Sequence, residues 1–323
     1  MRVTVPSFAK LNLDLRVLHK RPDGYHELRT VFQTISLKDT LSIEFDFAKQ
    51  TQIDLSSSID IEDNLVVRAA KAVLDRLKIK AWVRFVLEKR IPMGAGLGGG
   101  SSNAAAVLVS LPALAGRCLS MPDWVRIAES LGSDVPFFLY GGTALGLGRG
   151  TELYPLPDIP SQSAVVLSTG VHVSTAAAYR ALNRSPQNAE KPNVTNALTS
   201  PAESPILGEF QTIAWSLADR NAANSSLDRL PLKNDFEEAV FKLHPELAAS
   251  VRKLRRLGAK PAMMTGSGSA LFGIFPSAAE ARAAASHFPD ETAFWVRFVS
   301  RRQYGSLWRR ALGQAAEASC FAK

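Results

Sequence analysis

The chain opens on an alternation. Leu11, Leu13, Leu15 and Val17 are separated by Asn12, Asp14 and Arg16, and Leu41, Ile43, Phe45 and Phe47 repeat the period of two. That is the spacing of strands with one apolar face. Pro22-Asp-Gly24 lies between the two runs and reads as a turn. Over 63–78 the period lengthens, and Leu65, Val66, Ala69, Ala70, Val73, Leu74 and Leu77 fall on one face of a helix. Residues 82–88 read as a strand, followed by a glycine-rich loop and an Ala-rich apolar helix from about Ser101. Ser120-Met-Pro-Asp123 predicts another helix start, with Ser as N-cap and Pro in the first turn. The second half mixes helices (245–257, 278–286) with strands (262–264, 270–275, 294–299). Residues 183–204 and 221–226 are polar and without period, which predicts exposed loops, with a short helix between them over 206–217. The pattern is that of an α+β protein.

Its 323 residues suit two domains. The boundary is expected at Pro157-Asp-Ile-Pro-Ser161, dividing the chain into 1–160 and 161–323. Hydrophobic residues make up 46% and charged residues 21%, which excludes wholesale disorder, collagen and coiled coil. The longest apolar run, 104–116, is interrupted by Ser110 and Pro112 and falls short of the ~18 residues of a membrane span. The first residues lack the apolar core of a signal peptide, and Asp14, Asp23 and Glu27 do not suit a transit peptide. Cys118 and Cys320 make neither a disulfide framework nor a metal cluster, which favours a reducing compartment. The expectation is a soluble cytoplasmic protein.

Charge is uneven. Residues 1–160 carry a net +2 and residues 161–323 a net +6, with the excess around 251–256 and 297–310. A nucleic-acid surface is one reading. These charges alternate with Leu, Val and Trp at helical or strand spacing, which favours solvated faces; a general pull on anionic small substrates is a third reading.

The candidate chemistry lies in Pro92-Met-Gly-Ala-Gly-Leu-Gly-Gly-Gly-Ser-Ser102. Five glycines in seven residues permit left-handed backbone and close approach, and the helix that follows presents free N–H groups and a positive dipole end to an anion. The dinucleotide fingerprint fits poorly, because about 90 residues precede the loop instead of a first βαβ unit. A P-loop is excluded because the loop ends Gly-Ser-Ser with no lysine, and the protein-kinase motif set is missing.

Three motifs in order resemble the GHMP kinase superfamily: the glycine loop with Asn103-Ala-Ala-Ala behind it, Pro6-Ser-Phe-Ala-Lys-Leu-Asn-Leu13, and Met264-Thr-Gly-Ser-Gly-Ser-Ala-Leu-Phe272. Arg21-Pro-Asp-Gly-Tyr-His26, Thr30 with Phe32-Gln33, Gly132-Ser-Asp-Val-Pro-Phe137 and Lys233-Asn-Asp-Phe-Glu237 are similar to its branch that phosphorylates a cytidyl-bearing alcohol of isoprenoid precursor synthesis. Asp23-Gly-Tyr-His26 speaks against the homoserine and mevalonate kinases. The resemblance covers nearly the whole chain; residues 184–228 depart from it.

The resemblance implies a two-lobed α+β fold: an N-terminal lobe with a mixed sheet and helices, and a ferredoxin-like α/β sandwich. It implies ATP as co-substrate with Mg²⁺, a small cytidyl substrate, and neither nucleic acid nor membrane as partner. It makes Asp134 the catalytic base and Lys10 its neighbouring cation. On residues alone, Asp134 reads as a helix cap and Lys10 as a surface lysine. The phosphate loop of the resemblance is Pro92, Met93, Gly94, Ala95, Gly96, Leu97, Gly98, Gly99, Gly100, Ser101 and Ser102, with the two serines also suited to cap the helix. Asn12, Tyr25, His26, Thr175 and Tyr179 are implied to hold the substrate, with Tyr179 stacking on its base. Gly266-Ser-Gly-Ser269 is implied to close the site.

Overall fold

The computed structural model describes residues 1–182, 205–219 and 227–316. The expected loops over 183–204 and 221–226, and Cys320, lie outside the described residues.

Two sheets divide the strands. The first contains β1 (Arg2–Lys20), β2 (His26–Phe47), β3 (Gln52–Ser57), β4 (Ala81–Glu88), β5 (Thr143–Gly148) and β6 (Glu152–Pro155). β2 is long enough to serve three neighbours. One edge pairs along β1, from Arg2↔Glu44 to Lys20↔His26. Its first half also pairs with β5 and its second half with β4. β3 lies parallel to β4, and helix α1 (Leu65–Leu77) makes the crossover between them, started by Asn64, whose side chain accepts from the Val66 N–H. Helices α2 (Gly99–Leu114), α3 (Met121–Leu131) and α4 (Val135–Tyr140) follow in the chain and share the core of α1 and this sheet. α2 is apolar all round and buried along nearly its whole length, as a helix enclosed on every side must be.

The second sheet runs β10-β7-β9-β8, all antiparallel, from β7 (Ser163–Ser168), β8 (Ala262–Met264), β9 (Leu271–Phe275) and β10 (Thr292–Arg297). Between β7 and β8 the chain forms α5 (Thr175–Ala181), α6 (Pro205–Ala218), α7 (Phe236–Leu243) and α8 (Pro245–Arg256); α9 (Ala278–Ala285) connects β9 to β10. This is the ferredoxin-like β-α-β-β-α-β order. Leu11, Leu13 and Ile35 of the first sheet share one apolar cluster with Val166, Phe272 and Val296 of the second.

The opening alternation does not mark a solvent face. The apolar side of β1 is buried, but so are Lys10, Asn12, Asp14 and Arg16 on the polar side. Phe47, by contrast, ends its strand exposed. The final helix, α10 (Arg301–Leu312), returns to the first lobe, where Tyr304, Trp308 and Leu312 join the core with Phe8 and Phe138. Among its basic residues Arg301 is not a solvated charge: its guanidinium donates to the carbonyls of Thr143 (2.5 Å) and Leu156 (3.1 Å). No helix among the described residues is long and apolar enough to cross a membrane.

Candidate active site

The glycine loop leaves β4 and ends in α2. Gly96 and Gly98 are left-handed, at φ +77° and +70°. A Cβ on Gly96 would lie 2.4 Å from the Thr265 carbonyl oxygen, so only glycine lets this loop close against the 265–268 turn. Backbone bonds lock the two together: the Ala270 N–H donates to the Ala95 carbonyl, and the Lys10 N–H to that of Leu97. Gly98 is the N-cap of α2, and the Ser102 N–H makes the first helical bond. The expected capping by Ser101 and Ser102 is therefore corrected: both lie inside the first turn. The N–H groups of Gly99, Gly100 and Ser101 have no partner within the helix, which leaves them to an anion. Ser102 Oγ is buried with no hydrogen-bond partner.

Lys10 projects from β1 into the same region. Its ammonium donates to Asn12 Oδ1 at 2.5 Å, lies 3.4 Å from Asp134 Oδ2 and stands over the Phe32 ring at 5.5 Å. The lysine side chain is 3% exposed and that of Asp134 34%, so the carboxylate has one side open and the ammonium almost none. Asp134 occupies the N-cap position of α4 but makes no side-chain capping bond. Asn12 is spent within the protein: its amide donates to Thr30 Oγ1 (2.8 Å), and its carbonyl holds Lys10.

A cleft of about 950 Å³ passes this pair. Lys10, Asn12, Asp134, Gly94, Gly96 and Ser101 line one part, and Tyr25, His26, Thr175 and Tyr179 the other. Tyr179 stacks on His26 (centroids 4.7 Å apart, 21°) and meets Phe236 edge-on. Burial, with the Asp134 charge nearby, pushes its phenol up to about 12. With His26 on its ring, that face of Tyr179 is occupied by protein. Tyr25 is half exposed and carries the Arg149 guanidinium 3.6 Å from its ring centre. Thr175 Oγ1 lies 3.0 Å from Ser267 Oγ, joining α5 to the second glycine turn. Asn234 holds that turn from below through the Met264 and Gly266 carbonyls.

Not every residue of the loop reaches the cleft. Ala95 and Leu97 are buried apolar anchors, Ser102 is enclosed, and Pro92, Met93, Gly98, Gly99 and Gly100 also lie off its lining. Ser133, Phe236 and Ser267 line it from the motifs noted in the sequence, while Lys20, Arg149 and Arg180 line it without having been singled out. Arg149 had a signal, since it stands between Gly148 and Gly150 in a tight connection.

Two family models, GHMP kinases N terminal domain and GHMP kinases C terminal, match residues 64–142 and 207–292. A 4-diphosphocytidyl-2-C-methyl-D-erythritol kinase of Solibacter usitatus is 51% identical over 308 residues, covering 95% of this chain and 92% of that protein. The chain belongs to the 4-diphosphocytidyl-2-C-methyl-D-erythritol kinase family, within the GHMP kinases. A crystal structure of 4-(cytidine 5'-diphospho)-2C-methyl-D-erythritol kinase superposes with a TM-score of 0.73 at 35% identity, covering 91% of this chain and 98% of that one. A homoserine kinase from Cytophaga hutchinsonii shares the fold at a TM-score of 0.67 and 19% identity, covering 94% and 96%. The two-lobed architecture of the family is thus the fold described above.

Proposed function

We propose that this protein transfers the γ-phosphoryl group of ATP to the 2-hydroxyl of 4-diphosphocytidyl-2-C-methyl-D-erythritol, yielding the 2-phosphate and ADP in the non-mevalonate route to isoprenoid precursors. The observation that supports it best is the Lys10–Asp134 pair, placed in one cleft between a helix-opening glycine loop and an aromatic group fit for a base.

Phosphoryl transfer asks a protein to position reactants and stabilise charge. The N–H groups opening α2 cradle the ATP phosphates. Asp134 takes the proton of the attacking hydroxyl on its open side. Lys10, held by Asn12, keeps the carboxylate ionised and stabilises the developing alkoxide. Tyr25, His26 and Tyr179 hold the cytidyl end. Mg²⁺ takes oxygen ligands, which suits the hydroxyl of Ser101 in the cleft lining beside the glycine loop. Ser101, which lines the cleft, would hold the ion together with phosphate oxygens and water, leaving Asp134 to the hydroxyl proton, and the ion would supply charge neutralisation at the phosphates.

The reading takes residues 1–160, with α10 packed onto them, as one lobe and the rest of 161–323 as the other, places the enzyme in the cytoplasm, and treats the basic second half, Arg301 aside, as solvated surface that binds neither nucleic acid nor membrane. ADP release measured with the cytidyl substrate, with homoserine and with mevalonate tests it. Turnover confined to the cytidyl substrate is expected; turnover of homoserine or mevalonate instead would overturn it.

A further inference from the structure

Beneath the glycine loop lies a polar cluster that the reaction does not touch. Asp39, on β2, is fully buried, yet its carboxylate is surrounded by donors. Oδ1 accepts from the backbone N–H groups of Arg90 (2.7 Å) and Ile91 (2.8 Å). Oδ2 accepts from Lys89 Nζ and from Asn103 Nδ2 (3.0 Å). Lys89 also donates to Asn103 Oδ1 at 3.1 Å.

The partners stand on both sides of the loop. Arg90 and Ile91 are the residues through which the chain enters it, and Asn103 belongs to α2, into which the loop runs. A Cβ on Gly99, the first residue of α2, would lie 3.1 Å from Lys89 Nζ, so the cluster sits directly under the helix start. A buried ion pair is a weak device for stability, because desolvation offsets much of the attraction. What the charges do supply here is direction: one carboxylate fixes the distance between the two ends of the loop.

We propose that Asp39 is a positioning residue of the phosphate loop: by tying loop entry to α2 it sets the spacing of the N–H groups that receive the ATP phosphates, and so tunes nucleotide affinity without touching the nucleotide. The inference rests on the loop being the ATP site, as read above. It separates the nucleotide end of the site from the cytidyl end. The Asp39 carboxylate bonds to Lys89, Arg90 and Ile91 at the loop entry and to Asn103 of α2, whereas Tyr25, His26 and Tyr179 stand on the 21–26 turn, β2 and α5.

Asp39→Asn is nearly isosteric. It keeps an acceptor for Arg90 and Ile91 but turns an NH₂ donor toward Lys89 and Asn103. ADP and CDP affinities by calorimetry, with KM for ATP and for the acceptor, read the result. The expected outcome is a loss of about tenfold or more in ADP affinity and a rise of the same size in KM for ATP, from a buried polar group left unpaired. CDP affinity and acceptor KM should stay within about twofold. If Asp39→Asn does not fold, Asn103→Ala cuts only the tie to α2 and should give the same selective loss, smaller in size. A folded variant with wild-type ADP affinity would overturn the proposal, as would ADP and CDP affinities that fall together. Wild-type protein that binds neither ADP nor CDP would overturn the functional reading, and the proposal with it.

Discussion

Asp134 stands at the head of a helix whose N–H groups it leaves uncapped, and its carboxylate faces the ammonium of Lys10 at 3.4 Å instead. A side chain that declines the hydrogen bond its position offers is held for another purpose. Asp134→Asn keeps shape and polarity and removes basicity. It should leave ATP and acceptor affinity nearly unchanged while kcat falls by ~10²–10⁴-fold. Steady-state kinetics decide: a variant that keeps more than half the wild-type kcat removes Asp134 from the role of base.

Lys10→Met fills the same space without the charge. A lower kcat is expected, because the alkoxide loses its counter-ion. The double variant Lys10→Met/Asp134→Asn should fall well short of the product of the two single losses, as residues that act as a unit do. A strictly multiplicative double variant would mean that the two act separately.

Tyr25→Ala removes a half-exposed aromatic face from the cleft, at the end proposed to read the base. Stacking is worth ~1–3 kcal/mol per base in single-strand binding proteins, so KM for the cytidyl substrate should rise by roughly 10- to 100-fold. KM for ATP should not follow. Unchanged acceptor KM would place the base elsewhere.

Tyr179 provides a pH signature. Its folded pKa of about 12 lies above the ~10 of an unfolded tyrosine, so the folded state holds the phenol proton longer. This contribution is fully present below pH ~10 and is lost as pH rises through about 12. Urea midpoints of the wild type should therefore fall more steeply between pH 9 and 11.5 than those of Tyr179→Phe. Parallel curves would show that the phenol is solvated.

Arg16 is wholly buried and donates to Asp14, to Glu209 (2.7 Å) and to the Pro231 carbonyl (2.7 Å). Its partners are unequal. Glu209 is half exposed, held below the usual carboxylate range chiefly by its hydrogen bond from Arg16, and Glu209→Gln should cost less than ~1 kcal/mol. Arg16→Met strands the buried Asp14 carboxylate and should cost ~3–5 kcal/mol. Equal losses in urea denaturation would contradict this ranking.

How much of this was legible beforehand depends on distance along the chain. The period of two in β1, the helix over α1 and the Ser120 cap are local, and each formed as its residues dictate. Alternation could not show that the polar side of β1 is also buried, because the groups that meet it, Asp134, Glu209 and the 231–235 segment, lie more than a hundred residues away. The residues at 134 and 10 read locally as a cap and a surface lysine; only the fold brings them together. Asp39 carried no signal, since its partners lie fifty and more residues away, and the motif to which Asn103 belongs does not point back to it.

Helix α10 adds a constraint on how such a molecule can be made. Tyr304 donates to the Phe138 carbonyl at 2.5 Å and its ring covers Gly141, where any Cβ would strike it at 2.5 Å. The part of the chain that emerges first from the ribosome thus waits for a helix translated only after the entire second sheet. Until then Phe8 and Phe138 lack their cover, and the core of the first lobe is incomplete. Separating the lobes at residue 160 would accordingly yield two incomplete pieces, while a circular permutation joining α10 directly to β1 would keep the core that α10 completes within one continuous stretch of synthesis.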